Sequence, residues 1–289
     1  MPVEWRPLRP SDVPGAFALS RIAGWNQTES DWHGYLAFDP EGCLAALVDG
    51  ALVGTATCIR YGKALGWIGM VLVHPDHRRL GLGKELLRRT IRYLGEKAVR
   101  SIKLDATAAG RKVYLPLGFR DEIDVTRFEG RAPGLPVGPS TVSFHGAAEP
   151  MAPGDLTQMA ELDARAFGVD RSGVLSSLSS RNPGLCFVDR SGGGISGFLI
   201  AREGREAVQM GPMAASGEAV AERLFHALFR VAQGRRLFVD LPMPNIVGAG
   251  ILARHGFVVQ RSFTRMILGE AGPAENVSLV FGTSGAEKG

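Results

Sequence analysis

The stretch Arg78-Arg79-Leu80-Gly81-Leu82-Gly83-Lys84 places three cations around two glycines in one short loop. Glycine has no Cβ, so a ligand can come close to the backbone there. A helix starting at this point would add unpaired N–H groups and a partial positive charge. Cations, close backbone and helix start together suit a pyrophosphate. Neither standard nucleotide loop fits. A Walker loop requires Gly-Lys-Ser/Thr, but Glu85 follows Gly83-Lys84. The dinucleotide fingerprint requires three spaced glycines, and one is missing.

The flanking elements have the order such a loop needs. Residues 68–73, Ile-Gly-Met-Val-Leu-Val, read as a buried strand. Pro75 cannot continue a ladder and ends it. After Gly83, the residues Leu86, Leu87, Thr90, Ile91 and Leu94 recur at helical spacing, with arginines on the other face.

Composition bounds the rest. A chain of 289 residues is long enough for about two domains. Hydrophobic residues make up 45% and charged residues 21%, as in ordinary globular protein. The net charge of +4 is concentrated over residues 78–100, which points to an acidic cofactor. A nucleic-acid surface has only the pI of about 9.1 in its favour, with no basic run interleaved with aromatics. Cys43, Cys58 and Cys186 lack CxxC spacing and lie in apolar stretches, so free buried thiols and a cytoplasmic location are expected. No signal peptide is evident, and no run approaches the ~20 apolar residues of a membrane helix, so no membrane partner is expected.

Taken in order, residues 3–8 read as a strand and Ser11-Asp12 cap a helix over 13–23. Thr28-Glu29-Ser30-Asp31 starts a second helix. Residues 43–48 and 52–59 are strands around an Asp49-Gly50 turn. Residues 67–73 precede the loop, and 101–106 form a strand after its helix. A helix over 109–117 ends at Gly118-Phe119, and 122–128 form a closing strand. Residues 131–139, rich in proline and glycine, read as a linker. The pattern then repeats. Asp240 answers Asp105, Gly256-Phe257 answers Gly118-Phe119, and Thr264-Arg265-Met266 answers Thr126-Arg127-Phe128.

Val73-His74-Pro75 followed by Arg78-x-x-Gly81-x-Gly83 resembles the pyrophosphate motif of the GNAT N-acetyltransferase superfamily, Arg/Gln-x-x-Gly-x-Gly/Ala after a Val-x-Pro strand end. The order of elements resembles that fold as well. The resemblance implies an α/β (α+β) protein of two tandem GNAT-like domains, each a mixed, mostly antiparallel sheet flanked by helices. Residues 1–130 would be the catalytic domain, 131–140 the linker and 141–289 a degenerate copy.

The resemblance also implies acetyl-CoA as cosubstrate and no metal. The loop Arg78, Arg79, Leu80, Gly81, Leu82, Gly83 and Lys84 would hold the pyrophosphate, with backbone groups of Val71 and Val73 along the pantetheine arm. Tyr114, four residues before Gly118-Phe119, matches the tyrosine that protonates the leaving thiolate; a phenol pKa near ~10 is suited to that task. The asparagine often found seven residues earlier is Thr107 here. The second copy keeps Asn245 but has Leu252 at the tyrosine position, no arginine over 214–219, and Glu218 where a phosphate would sit.

Trp25, Asn26, Asp31 and Trp32 form a polar-aromatic cluster suited to a cationic amine, on the helix connection that lines the acceptor pocket in the family. The general base stays open among Asp105, Glu29, Asp31, His74 and a water chain. The expected reaction is acetyl transfer to a primary amine of a small molecule, by direct attack in a ternary complex, since no cysteine adjoins the loop. Transfer of a longer acyl group, or sensing of acetyl-CoA without turnover, are the alternatives.

Overall fold

The computed structural model describes residues 2–133, 148–191 and 193–289. Val3–Pro7 (β1) leads into helices Val13–Ile22 (α1) and Glu29–Phe38 (α2). Leu44–Val48 (β2) and Ala51–Tyr61 (β3) form a hairpin. It turns at Asp49 and Gly50, both at positive φ (51° and 78°), as a tight two-residue turn requires. Leu65–Val73 (β4), Leu82–Glu96 (α3), Ser101–Ala106 (β5), Ala108–Tyr114 (α4) and Arg120–Arg131 (β6) complete the first repeat.

The second repeat is Glu149–Pro150 (β7), Leu156–Phe167 (α5), Ser172–Arg181 (α6), Cys186–Ser191 (β8), Gly194–Arg202 (β9), Val208–Ala215 (β10), Glu218–Val231 (α7), Arg236–Pro242 (β11), Ile246–Arg254 (α8) and Val258–Gly269 (β12). One more strand, Val280–Gly282 (β13), follows.

Alternation along the strands divides the core. Ala45 and Leu47 of β2 pack with α1, α2, α5 and α6 in one cluster shared by both repeats, while Ala46 and Val48 face α3. Leu86 and Leu87 of α3 and Leu224 and Leu228 of α7 seal the other face of their own repeats.

The described strands form a single sheet in the order β1-β2-β3-β4-β5-β12-β6-β11-β10-β9-β8-β7, with β13 against β10. The closing strands are exchanged. β12 of the second repeat lies beside β5, and β6 of the first lies beside β11. The expectation that residues 122–128 close the first repeat's own sheet is therefore corrected. The two exchanged strands also pair with each other, which removes two edges that separate sheets would leave open.

Each exchanged strand is pinned by a buried ion pair on a register partner. Arg265 donates to Asp105 at 2.8 and 3.1 Å, and Arg127 to Asp240 at 2.6 and 2.7 Å. Breaking such a pair leaves a bare buried charge, costing about 3–5 kcal/mol. The expected linker begins in sheet, since Arg131 is the last residue of β6. Residues 134–140 lie outside the described residues.

Candidate active site

β4 and β5 run parallel but pair only where Leu65–Trp67 meets Ser101–Lys103. Beyond that point they splay, and β4 carries a bulge against β3 where Met70 takes a φ of 49°. A bulge of this kind turns a strand edge away from its neighbour. The splay opens a cavity of about 460 Å³. It runs from Arg78 and Gly83 along Val71 and Val73, past Tyr114, to Trp25, Gln27, Asp105, Arg127, Arg261, Phe263 and Glu287.

The basic loop forms one mouth. Arg78 donates from Nε to the Val73 carbonyl oxygen at 3.1 Å, which orients it across the strand end. Arg78, Arg79 and Lys84 have no carboxylate within ion-pair distance among the described residues. Gly81 sits at the start of α3 with φ 82°, a conformation that disfavours any side chain. Leu82 is buried beneath α3, whereas Leu80 is exposed. Of the seven loop residues, only Arg78 and Gly83 line the cavity itself.

Tyr114 lines the middle of the cavity. Burial pushes its phenol up to about 12, so it keeps its proton at neutral pH. Thr107 caps α4, its hydroxyl accepting from the Gly110 N–H at 3.1 Å.

The four expected acceptor residues do not stay together. Trp25 lines the cavity. Asn26 instead clamps the second repeat, donating to the Ala207 carbonyl at 3.0 Å and accepting from the Glu206 N–H at 2.8 Å. Trp32 is a fully buried core residue, with Nε1 donating to Ser20 Oγ at 3.4 Å. Asp31 is buried with Arg202, Arg181 and Lys288 around it. Burial opposes its charge, but those three cations outweigh burial and hold its carboxyl below the usual range.

Of the candidate bases, Glu29 is exposed on α2. His74 caps the turn after β4, its Nδ1 accepting from the Asp76 N–H at 3.4 Å. Asp105 does line the cavity; burial raises its carboxyl against the opposing pull of Arg265. That is the direction a general base needs. The other cavity carboxylate, Glu287, was not singled out from the sequence. Burial opposes its charge, yet Lys288 and Arg202 hold it down to about 2.

Sequence reasoning missed Glu287, Arg261 and Phe263 because chain segments from the second repeat deliver them. Residues 283–289 cross onto the first repeat. Trp67 Nε1 donates to the Ala286 carbonyl at 3.0 Å, and Tyr61 Oη to that of Lys288 at 2.6 Å. A Cβ on Gly69 would lie 2.7 Å from the Glu287 Cβ, so only glycine admits the crossing segment.

The second repeat has the same splay. β10 and β11 pair only where Val208–Met210 meets Leu237–Val239. There β13 fills the gap, pairing with β10, while the Thr283 N–H donates to the Asp240 carbonyl at 2.8 Å. Asn245 caps α8 through the Gly248 N–H at 2.8 Å and holds β13 through the Val280 carbonyl at 2.9 Å. Glu218 pairs with Arg254.

Comparison with known proteins accords with two like repeats. Residues 14–119 match the acetyltransferase (GNAT) family, and residues 159–282 match an acetyltransferase (GNAT) domain. The chain is a tandem GNAT acyltransferase. The tandem GNAT chain is 24% identical over 234 residues to the holothin acyltransferase of Pseudoalteromonas sp. (strain SANK 73390), covering 81% of this chain and 76% of that one. A crystal structure of a protein from Pyrococcus horikoshii superposes with a TM-score of 0.83 at 25% identity, covering 99% and 96% of the two chains. A tandem GNAT protein from the clavulanic acid biosynthesis pathway shares the fold, with a TM-score of 0.64 at 16% identity and coverage of 95% and 100%. Among the described residues no helix is long and apolar enough to cross a membrane.

Proposed function

We propose that residues 1–130, completed by β12 and by residues 283–289, transfer the acetyl group of acetyl-CoA to the primary amine of a small molecule. Residues 141–289 act as the supporting repeat and bind no coenzyme A. The observation that supports this reading is the unbroken cavity from the basic loop, past Tyr114, to a pocket lined by both repeats. At the β10–β11 splay, by contrast, β13 occupies the corresponding place and pairs with β10.

In this reading the loop amides and Arg78, Arg79 and Lys84 hold the pyrophosphate by charge-assisted contacts. Val71 and Val73 offer main-chain groups to the pantetheine arm, which takes the place β5 leaves open. The amine gives up a proton, to Asp105 or through a water chain, and attacks the thioester directly, the N–C bond forming as the C–S bond breaks. The three cysteines are buried and outside the cavity, so none serves as an acyl carrier. Tyr114 gives its proton to the departing thiolate; its raised pKa keeps the phenol protonated and neutral until then. The carboxylates of Asp105 and Glu287 line the same cavity and offer oxygens to the N–H groups of the amine.

The test is isothermal titration with acetyl-CoA, followed by thiol release with a panel of amines. One cofactor per chain and amine-dependent release are expected. Binding without release for any amine would favour a sensor, and preference for a longer acyl-CoA would change the donor.

A further inference from the structure

A bulge in the pairing of β6 with β12 falls between Val259 and Arg261, and Arg261 stands directly across from Arg127. Like charges facing each other across a pair of strands are destabilising. A bulge re-aims the residue beside it, and both arginines here line the acceptor end of the cavity. Their situations differ. Arg127 is clamped by both oxygens of Asp240 and lies over the rings of Phe238 and Phe263. Arg261 has no carboxylate within ion-pair distance among the described residues. Its one side-chain hydrogen bond goes to its neighbour Gln260, from Nε to Oε1 at 2.7 Å.

The other charges at this end are already matched. Asp105 is held by Arg265, and Glu287 by Lys288 and Arg202. Arg261 is thus a half-buried cation in surplus. Burial, and then Arg127, lower its pKa, so nothing in the protein compensates the charge fully. A second orphan lies in the same cavity. Gln27 is 5% exposed, lines the pocket, and its Oε1 accepts from no group among the described residues. The pocket therefore offers a guanidinium for an anion and a carbonyl for an N–H.

We propose that the acceptor carries a carboxylate as well as its amine, and that Arg261 binds this carboxylate. The planar guanidinium matches a carboxylate with two parallel hydrogen bonds. Asp105 and Glu287 line the same cavity and can still accept hydrogen bonds from the amine, so the acceptor is recognised through both of its groups. This proposal rests on the acetyl-transfer reading above and deepens it.

The experiment uses the full chain, acetyl-CoA, and matched pairs of acceptors: amino acids and short peptides, each beside its carboxamide. With the unmodified protein, kcat/KM for the carboxylate member should exceed that of its amide by about ten-fold or more, the loss expected when a charged hydrogen bond goes unmade. In Arg261→Gln the ratio should fall to near unity through KM, with acetyl-CoA affinity unchanged. Arg261→Lys should recover part of the preference. Thiol release with no preference for the carboxylate member would overturn this proposal alone. Release with other amines but with no member of these pairs would likewise overturn this proposal alone, and release with no amine at all would overturn the acetyl-transfer reading with it.

A reading without substrate guards against a purely structural role. Removing one of two facing like charges should raise the Tm of free Arg261→Gln by about 1–2 °C. A fall in Tm would make Arg261 a packing residue and overturn the assignment.

Discussion

The clefts β4–β5 and β10–β11 descend from one pattern and have opposite contents. Each opens after three paired residues, and each has a glycine at its bend where a Cβ would strike the crossing segment: Gly69 against Glu287, and Gly211 against the Thr283 carbonyl oxygen at 2.0 Å. The first cleft ends at a loop with three unpaired cations. The second is filled by β13, and the acid at its helix start is itself neutralised by Arg254. A splayed sheet is thus a general receptacle for an extended chain. Under the proposed function, the side chains at its mouth decide whether that chain is a pantetheine arm or the protein's own backbone.

The largest way to break the comparison is to strip the first mouth. Arg78→Ala with Arg79→Ala removes two charge-assisted contacts of about 1.5–3 kcal/mol each, so acetyl-CoA affinity should fall about 10²–10⁴-fold by calorimetry. Glu218→Ala in the second mouth should change neither affinity nor stoichiometry. A loss there would mean that both clefts bind.

Next in size are the exchanged strands. Arg265→Met leaves Asp105 buried without its partner and should cost about 3–5 kcal/mol in urea unfolding, with a similar loss for Arg127→Met and Asp240. If only one of the two is costly, the repeats are not joined symmetrically.

A third effect lies in the chemical step. Tyr114→Phe should lower kcat about 10²-fold with little change in acetyl-CoA affinity, since only the proton donor is lost. Its pH behaviour carries a sign. A phenol pushed up to about 12 stays protonated at all lower pH values. The ratio of wild-type to Tyr114→Phe kcat should therefore be flat from about pH 7 to 10. A ratio that falls near the ordinary phenol value of about 10 would place the ring in free solvent.

The smallest effect concerns the plug. Asn245→Ala removes a helix cap and one anchor of β13, at about 1–2 kcal/mol. Stoichiometry should nevertheless stay at one, because an emptied second cleft still lacks cations.

The sequence made the repeats legible, because each helix and strand is specified by local periodicity and turn residues. It also disclosed the loop, Tyr114 and the missing arginines of the second copy. It could not disclose the exchange. Asp105 and Asp240 are equivalent, as are Arg127 and Arg265, so pairing within a repeat and pairing across repeats satisfy the same charges. What separates them in space is local and easily overlooked: Lys103 reaches Glu275 at 2.8 Å, whereas Phe238 stands at the equivalent place and receives Arg127. The acceptor pocket failed to appear for the same reason. Trp25 was found on its own connection, but Arg261, Phe263 and Glu287 arrive from more than a hundred residues away, and nothing in a linear pattern marks an arrival of that length.

The exchange also sets a timetable. Asp105 meets Arg265 across a separation of 160 residues. At a synthesis rate of about 5–20 residues per second, the ribosome needs about 8–30 s to make that interval. During this time β5 has an unpaired edge, and the carboxylate of Asp105 has no cation from β12. Contacts so distant in sequence form slowly even in the finished chain. Under the proposed function, the half that carries the chemistry is therefore the half that must wait, and the supporting repeat supplies the strand that ends the wait.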